Sequence, residues 1–262
     1  MSSERSLIEY LEDLRTHIIR ITIVIIIITS LCMTFSIRLF DINGLHFPIL
    51  QPDLFDNVAA QVILFIKENL VPKNVTLIQT APGEVFFAQV HVAAMLGIIF
   101  GMPFIVREVA IFIGPALYRH EKAAMRKIMI SSSGFFLIGC LFSYFIVIPH
   151  LLDFLYRYGT SIGVSTFFDI SEFVPFVLEF FVAFGIAYQF PVIMWGTTVS
   201  GMVDPLFWRK NFRYFIIISA IFGAIVTPDG SGVTMWFMAG PMIVLYILGI
   251  LFIEKKFKRT YR

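Results

Sequence analysis

Residues 173–199 read FVPFVLEFFVAFGIAYQFPVIMWGTTV, and this stretch decides what kind of protein the chain encodes. Glu179 is its only charged side chain. A helix rises about 1.5 Å per residue, so a hydrocarbon core roughly 30 Å thick needs about 20 mostly apolar residues. Phe173–Val199 exceeds that length and reads as a membrane-spanning helix. An acidic group at the bilayer centre costs at least ~2.5–3.5 kcal/mol on insertion scales. Glu179 must therefore face a water-filled groove or a protein partner, or lie shallow enough to reach the outer headgroups.

Three more runs of the same kind lie upstream, at about Ile18–Ile37, Val85–Val106 and Ile128–Leu152. Downstream, about Phe212–Val226 and Val233–Ile253 form a further pair, divided by Thr227-Pro228-Asp229-Gly230-Ser231-Gly232, which is turn chemistry. The pair is expected to make a short hairpin. The fold expected is an all-α, polytopic membrane protein: six transmembrane helices, the last two short, in one cupped membrane domain covering residues 1–262.

Composition agrees with that reading. Of 262 residues, 58% are hydrophobic and 15% charged, with a mean hydropathy of +0.85. Ordinary soluble domains carry roughly 25% charged residues, so a soluble enzyme and a disordered chain are disfavoured. The net charge of +2 argues against a nucleic-acid partner. Cys32 and Cys140 sit in apolar runs and offer neither a disulfide framework nor metal-ligand spacing. Glu4, Glu9, Glu12 and Asp13 precede the first apolar run, which is wrong for the basic region of a cleaved signal peptide. That run is expected to be retained as a span.

Basic residues set the orientation. With six spans, one side holds both termini and the second and fourth connecting segments, and it carries sixteen Lys and Arg. The other side has four, Arg38, Lys67, Lys73 and Arg157. Both termini are expected to be cytoplasmic. In the long first outer loop, Val58, Val62, Phe65, Ile66 and Leu70 fall at helical spacing, so an amphipathic helix is expected near the outer membrane surface.

Several motifs suggest chemistry. Gly159-Thr160-Ser161-Ile162-Gly163 matches a nucleophile elbow, but it lies in a loop rather than at a strand-to-helix turn, and a flexible turn explains it. A hydroxyl nucleophile at Ser161 or among Ser131–Ser133 lacks a base at similar depth. The five histidines have no metal-ligand spacing. His91, inside a span, reads either as a proton-relay group or as an interhelical hydrogen-bond partner. An ion-coupled small-solute transporter using Glu179 and His91 is the alternative function, although no two similar halves are visible. Gly97 and Gly101 form a small-xxx-small pair that favours close helix packing. On the basic side, Glu12, Asp13 and Glu121 either pair with Arg15, Arg119 and Lys122 or converge as a bidentate receptor for guanidinium groups.

The motifs taken in order resemble one family. Tyr10-Leu11-Glu12-Asp13-Leu14-Arg15 is similar to the His-Leu-x-Glu-Leu-Arg element before the first span of TatC, the multi-span receptor subunit of the twin-arginine protein translocase. Phe112-Ile113-Gly114-Pro115-Ala116-Leu117-Tyr118-Arg119-His120-Glu121-Lys122 resembles its first cytoplasmic loop. Phe142-Ser143-Tyr144-Phe145, Phe184-Gly185-Ile186-Ala187-Tyr188-Gln189-Phe190-Pro191-Val192 and Thr227-Pro228-Asp229 match later elements in the family's order. Tyr10 stands in place of the usual His, and Ala110 where Trp is common.

The resemblance implies a receptor, not an enzyme, and no cofactor. It would bind the arginine pair of signal peptides on folded precursors and export them with TatA/TatB-type single-span partners, driven by the proton-motive force. It implies that Glu121 binds the arginine pair, assisted by Asp13 or by Glu12, with Arg15 nearby and Phe112, Pro115 and Leu117 shaping the floor. Gln189 would occupy the polar position of the fourth span that faces partner helices or cargo. Pro48 and Asp229 match outer-surface positions. Self-association in a larger complex and contact with membrane lipid are implied as well.

Overall fold

The computed structural model describes residues 7–42, 45–72, 75–113, 122–161, 163, 167–227 and 232–257. Among these, five helical segments are long and apolar enough to cross a membrane: Glu9–Thr34, Glu84–Phe112, Met129–Ser161, Ile170–Val199 and Gly232–Lys256. Phe212–Val226 is a shorter apolar helix of 15 residues, about 22 Å long at the helical rise. The chain forms two compact units, one from Met1–Ile113 with Tyr156–Leu178 and the other from Gly114–Leu155 with Glu179–Arg262.

The first unit is built on α1 (Leu7–Thr34) and α3 (Glu84–Ile113). The run Ile21-Thr22-Ile23-Val24-Ile25-Ile26-Ile27-Ile28 at the heart of α1 is β-branched except at no position, yet it is helical. In lipid every backbone N–H and C=O must be bonded within the segment, and that requirement outweighs the small propensity penalty of β-branching. The helix ends at Thr34, three residues before the expected boundary. Phe35–Ile42 is instead strand β1, paired antiparallel with β2 (Leu45–Pro52) from Phe35 opposite Pro52 to Ile42 opposite Leu45. The sequence reading missed this hairpin because Phe35-Ser36-Ile37 continues the apolar run.

Helix α2 (Val58–Leu70) has the expected limits and buries a face turned partly away from the expected stripe, sharing Ile66 and Leu70 with it. Asn57 caps it, accepting from the Ala60 N–H at 2.9 Å and donating to Gln89 Oε1 on α3 at 3.1 Å. Ala59, Ile63, Ile66 and Leu70 turn inward, whereas Leu64 and Phe65 are exposed. Apolar residues lie nearly all round this helix, so spacing alone could not select the packed side; the Asn57 to Gln89 bond does. Before α2, Asp53 accepts from the N–H groups of Phe55 (3.0 Å) and Asp56 (3.1 Å) and pairs with Arg38 at 2.8 Å. These bonds hold its carboxyl below the ordinary range, the backbone donors of Asp56 and Phe55 contributing most. Strand β3 (Thr76–Ile78) pairs in parallel with β4 (Phe167–Asp169). The Thr80 hydroxyl reaches Asp169 Oδ2 at 2.6 Å and Glu84 Oε1 at 2.9 Å, tying this pair to the start of α3.

In the second unit, α4 (Lys122–Phe142) runs through a wide turn, Ser143–Val147, into α5 (Ile148–Ser161), of which the residues up to Leu155 belong to this unit. The Ile148 N–H bonds five residues back to Ser143 O. Pro149 lies one residue further on and has no N–H to continue the ordinary ladder. The run expected at Phe173–Val199 is interrupted: α6 (Ile170–Ala187) stops at Tyr188-Gln189 and α7 (Phe190–Val199) begins. Pro191 accounts for the break, since its ring clashes with the carbonyl four residues earlier, at Ala187. Helices α4 and α6 meet backbone to backbone: a Cβ on Gly139 would stand 2.5 Å from Phe184 O. After α8 (Pro205–Lys210), α9 (Phe212–Val226) and α10 (Gly232–Phe257) pack as a hairpin. The Phe215 and Tyr246 rings stack at 4.0 Å, and Tyr246 donates its hydroxyl to Trp208 O at 2.9 Å.

Candidate functional site

The polar cluster of the first unit lies where the start of α1 crosses the end of α3. Glu108 is fully buried. Its Oε2 accepts from His17 Nδ1 at 2.7 Å, and its Oε1 accepts from Arg107 at 2.6 Å. The Arg20 guanidinium stands 3.6 Å from Oε2. A carboxylate only accepts, so His17 carries its proton on Nδ1. The Arg20 and Arg107 side chains stay half-exposed. Isolated, a buried carboxylate would be strongly destabilising, and removing one partner of such a pair typically costs ~3–5 kcal/mol. The His17 ring meets the Phe112 ring edge-on at 5.9 Å, extending the contact to the last turn of α3.

Glu12, Asp13 and Arg15 are exposed on α1, two to five residues before His17. Phe112, half-buried, lies at the α3 end of this cluster. Phe112 meets the ring of His17, which follows Asp13 by four residues on α1. Glu121, Pro115, Leu117 and Asp229 fall outside the described residues. Pro48 is exposed on β2, and Glu179 is exposed on α6.

Gln189 sits half-buried at the break between α6 and α7. Its Oε1 accepts from the Ser132 hydroxyl of α4, and its Nε2 donates to Ser132 O at 3.2 Å and Gly185 O at 3.1 Å. Both ends of this amide therefore pin α4 against the break. His91, exposed on α3, bonds Phe87 O through Nδ1 at 2.9 Å within its own helix. The Ser161 hydroxyl donates to Tyr158 O at 2.7 Å at the end of α5, as in a helix-terminal turn. Among the described residues no cluster of His, Cys, Asp and Glu is arranged to hold a metal.

Glu108 is the polar residue the sequence reading missed. It stands beside Arg107, just before the basic loop, and was not singled out there. A signal was present: Gly97, Gly101 and Glu108 are separated by four and seven residues and share one stripe of α3, and that stripe faces α1. A Cβ on Gly97 would lie 2.8 Å from Thr29 Oγ1 and 3.0 Å from Ile25 O.

Comparison with known proteins agrees with this architecture. The family model described as Sec-independent protein translocase protein (TatC) matches residues 9–241. The TatC protein of Cenarchaeum symbiosum is 45% identical over 97% of this chain and 96% of its own length. That of Aquifex aeolicus is 35% identical over 73% of this chain and 80% of its own. A crystal structure of a twin-arginine translocase receptor, TatC, superposes with a TM-score of 0.74 at 30% identity, covering 94% of this chain and 98% of that one. The chain belongs to the TatC family of Sec-independent protein translocase proteins, as a multi-pass integral membrane subunit with a transport role rather than an enzymatic one.

Proposed function

We propose that this chain is the receptor subunit of a twin-arginine translocase, binding the arginine pair of signal peptides on folded precursors. Glu121 and an N-terminal carboxylate, Asp13 or Glu12, receive the two guanidinium groups in planar, two-bond geometry. Arg15, Phe112, Pro115 and Leu117 complete the surface. The observation that carries this reading is the contact between His17 and Phe112, 5.9 Å between ring centroids. It supports a site in which the acidic start of α1 lies beside the end of α3, nine residues before Glu121.

The chain acts as one membrane domain of six spans with both termini in the cytoplasm, as the sixteen-to-four division of Lys and Arg supports. Glu179 and Gln189 face TatA/TatB-type single-span partners, Pro48 and Asp229 belong to the outer surface, and the proton-motive force drives export. The test is transport of a folded fluorescent precursor into inverted membrane vesicles that contain this chain with TatA/TatB-type partners. Import that requires Arg-Arg in the signal, falls with Lys-Lys and stops on adding a protonophore supports the proposal. Import indifferent to the arginine pair overturns it.

A further inference from the structure

Glu12 and Asp13 are adjacent carboxylates, and chemistry alone does not choose between them as the arginine ligand. The packing of α1 does. At 3.6 residues per turn, Asp13 precedes His17 by four residues, about 40° round the helix and about 6 Å along it. Glu12 precedes it by five, about 140° round. Arg20, seven residues after Asp13, lies about 20° from it. Asp13, His17 and Arg20 thus form one stripe of α1, while Glu12 faces away from that stripe.

Glu108 grips this stripe. It is fully buried, accepts a hydrogen bond from His17 Nδ1 at 2.7 Å and lies 3.6 Å from the Arg20 guanidinium. On α3, Phe112 follows Glu108 by four residues and meets the same His17 ring. The His17 side chain of α1 is therefore held by two residues one turn apart on α3. Rotation of the α1 start about its own axis would break the bond to Glu108 or the ring contact to Phe112.

We infer that Glu108 is a positioning residue for the signal-peptide site: through His17 it sets the rotation of α1 so that Asp13, and not Glu12, is presented beside Phe112. The inference rests on the receptor reading above. Glu108 itself, buried and bonded by His17 and Arg107, does not touch the peptide.

The test is a double-mutant cycle on the full-length chain in detergent micelles, reading the affinity of a synthetic Arg-Arg signal peptide by fluorescence anisotropy, with the Lys-Lys peptide as control. Loss of one charge-assisted hydrogen-bonded pair is expected to weaken binding about tenfold, so Asp13→Ala should show that loss in the unmodified chain and Glu12→Ala under about threefold. His17→Phe retains a ring against Phe112 and removes the bond to Glu108. In that background, and in Glu108→Leu, Asp13→Ala should add almost nothing, because the carboxylate is already misdirected. Glu108→Gln keeps an acceptor for His17 and should restore binding together with the Asp13 dependence. A full, additive Asp13→Ala loss in the His17→Phe background would overturn the positioning role and leave the receptor reading standing, as would a larger effect from Glu12→Ala than from Asp13→Ala. No preference for Arg-Arg over Lys-Lys in the unmodified chain would overturn both.

Discussion

Gly97 of α3 faces Ile25 of α1 so closely that an added Cβ would stand 3.0 Å from the Ile25 carbonyl oxygen. Thr29 Oγ1 would be nearer still, at 2.8 Å. Backbone approach of this kind lets two spans gain dispersion contacts where lipid supplies no hydrophobic drive.

Gly97→Ala should therefore force the pair apart and destabilise it by ~1–3 kcal/mol, as overpacking does. Gly101→Ala should be near neutral, because its added Cβ would find ordinary contacts at 3.8 Å to Ile28 and Val24. Thermal unfolding of the two variants in the same detergent checks the contrast.

The crossing of α4 and α6 gives a parallel case. Gly139→Ala would drive a methyl to 2.5 Å from the Phe184 carbonyl oxygen, whereas Gly134→Ala, on the same helix, meets nothing within 4 Å. The first variant should lose folded protein on expression or unfold at markedly lower temperature. The second should behave like the unmodified chain.

Gln189→Leu should destabilise the second unit by ~1–3 kcal/mol, the cost of leaving buried polar groups unsatisfied. It removes the acceptor for the Ser132 hydroxyl and the donor to Ser132 O and Gly185 O. Pairing it with Ser132→Ala should give less than the sum of the two single effects, measured by chemical unfolding in mixed micelles.

Asp169 connects stability to pH. Hydrogen bonds from the Thr80 hydroxyl first, then from the Ser171 hydroxyl and N–H, hold its carboxyl below the ordinary value of 3.8. Because the folded value is depressed, the stabilisation is complete above the unfolded value and is lost as pH falls through the folded one. Protection of the β3 and β4 amides from hydrogen exchange should accordingly weaken only below about pH 4, the unperturbed Asp range. Asp169→Asn should remove most of that dependence.

What the sequence disclosed follows from which forces act locally. Span lengths were legible because a bilayer requires apolar residues in long runs, and the family motifs were legible because they are contiguous. The Tyr188-Gln189 break was also written locally, in Pro191, though length arithmetic passed over it. Three features depended on tertiary partners. Phe35-Ser36-Ile37 leaves the helix to pair with residues 50–52. The inward face of α2 is chosen by Gln89 on another helix. Glu108 becomes a buried carboxylate only because His17, 91 residues earlier, meets it.

The central claim is that the acidic start of α1 and the end of α3 receive the arginine pair. The most direct measurement is photocrosslinking from a probe placed next to the arginines of a signal peptide, followed by mapping of the crosslinked residues in the full-length chain. The account predicts adducts within residues 9–17 and 112–121 that require Arg-Arg and fade in Asp13→Ala and Glu121→Ala. Adducts elsewhere, or adducts equally strong with Lys-Lys and in both variants, would contradict it.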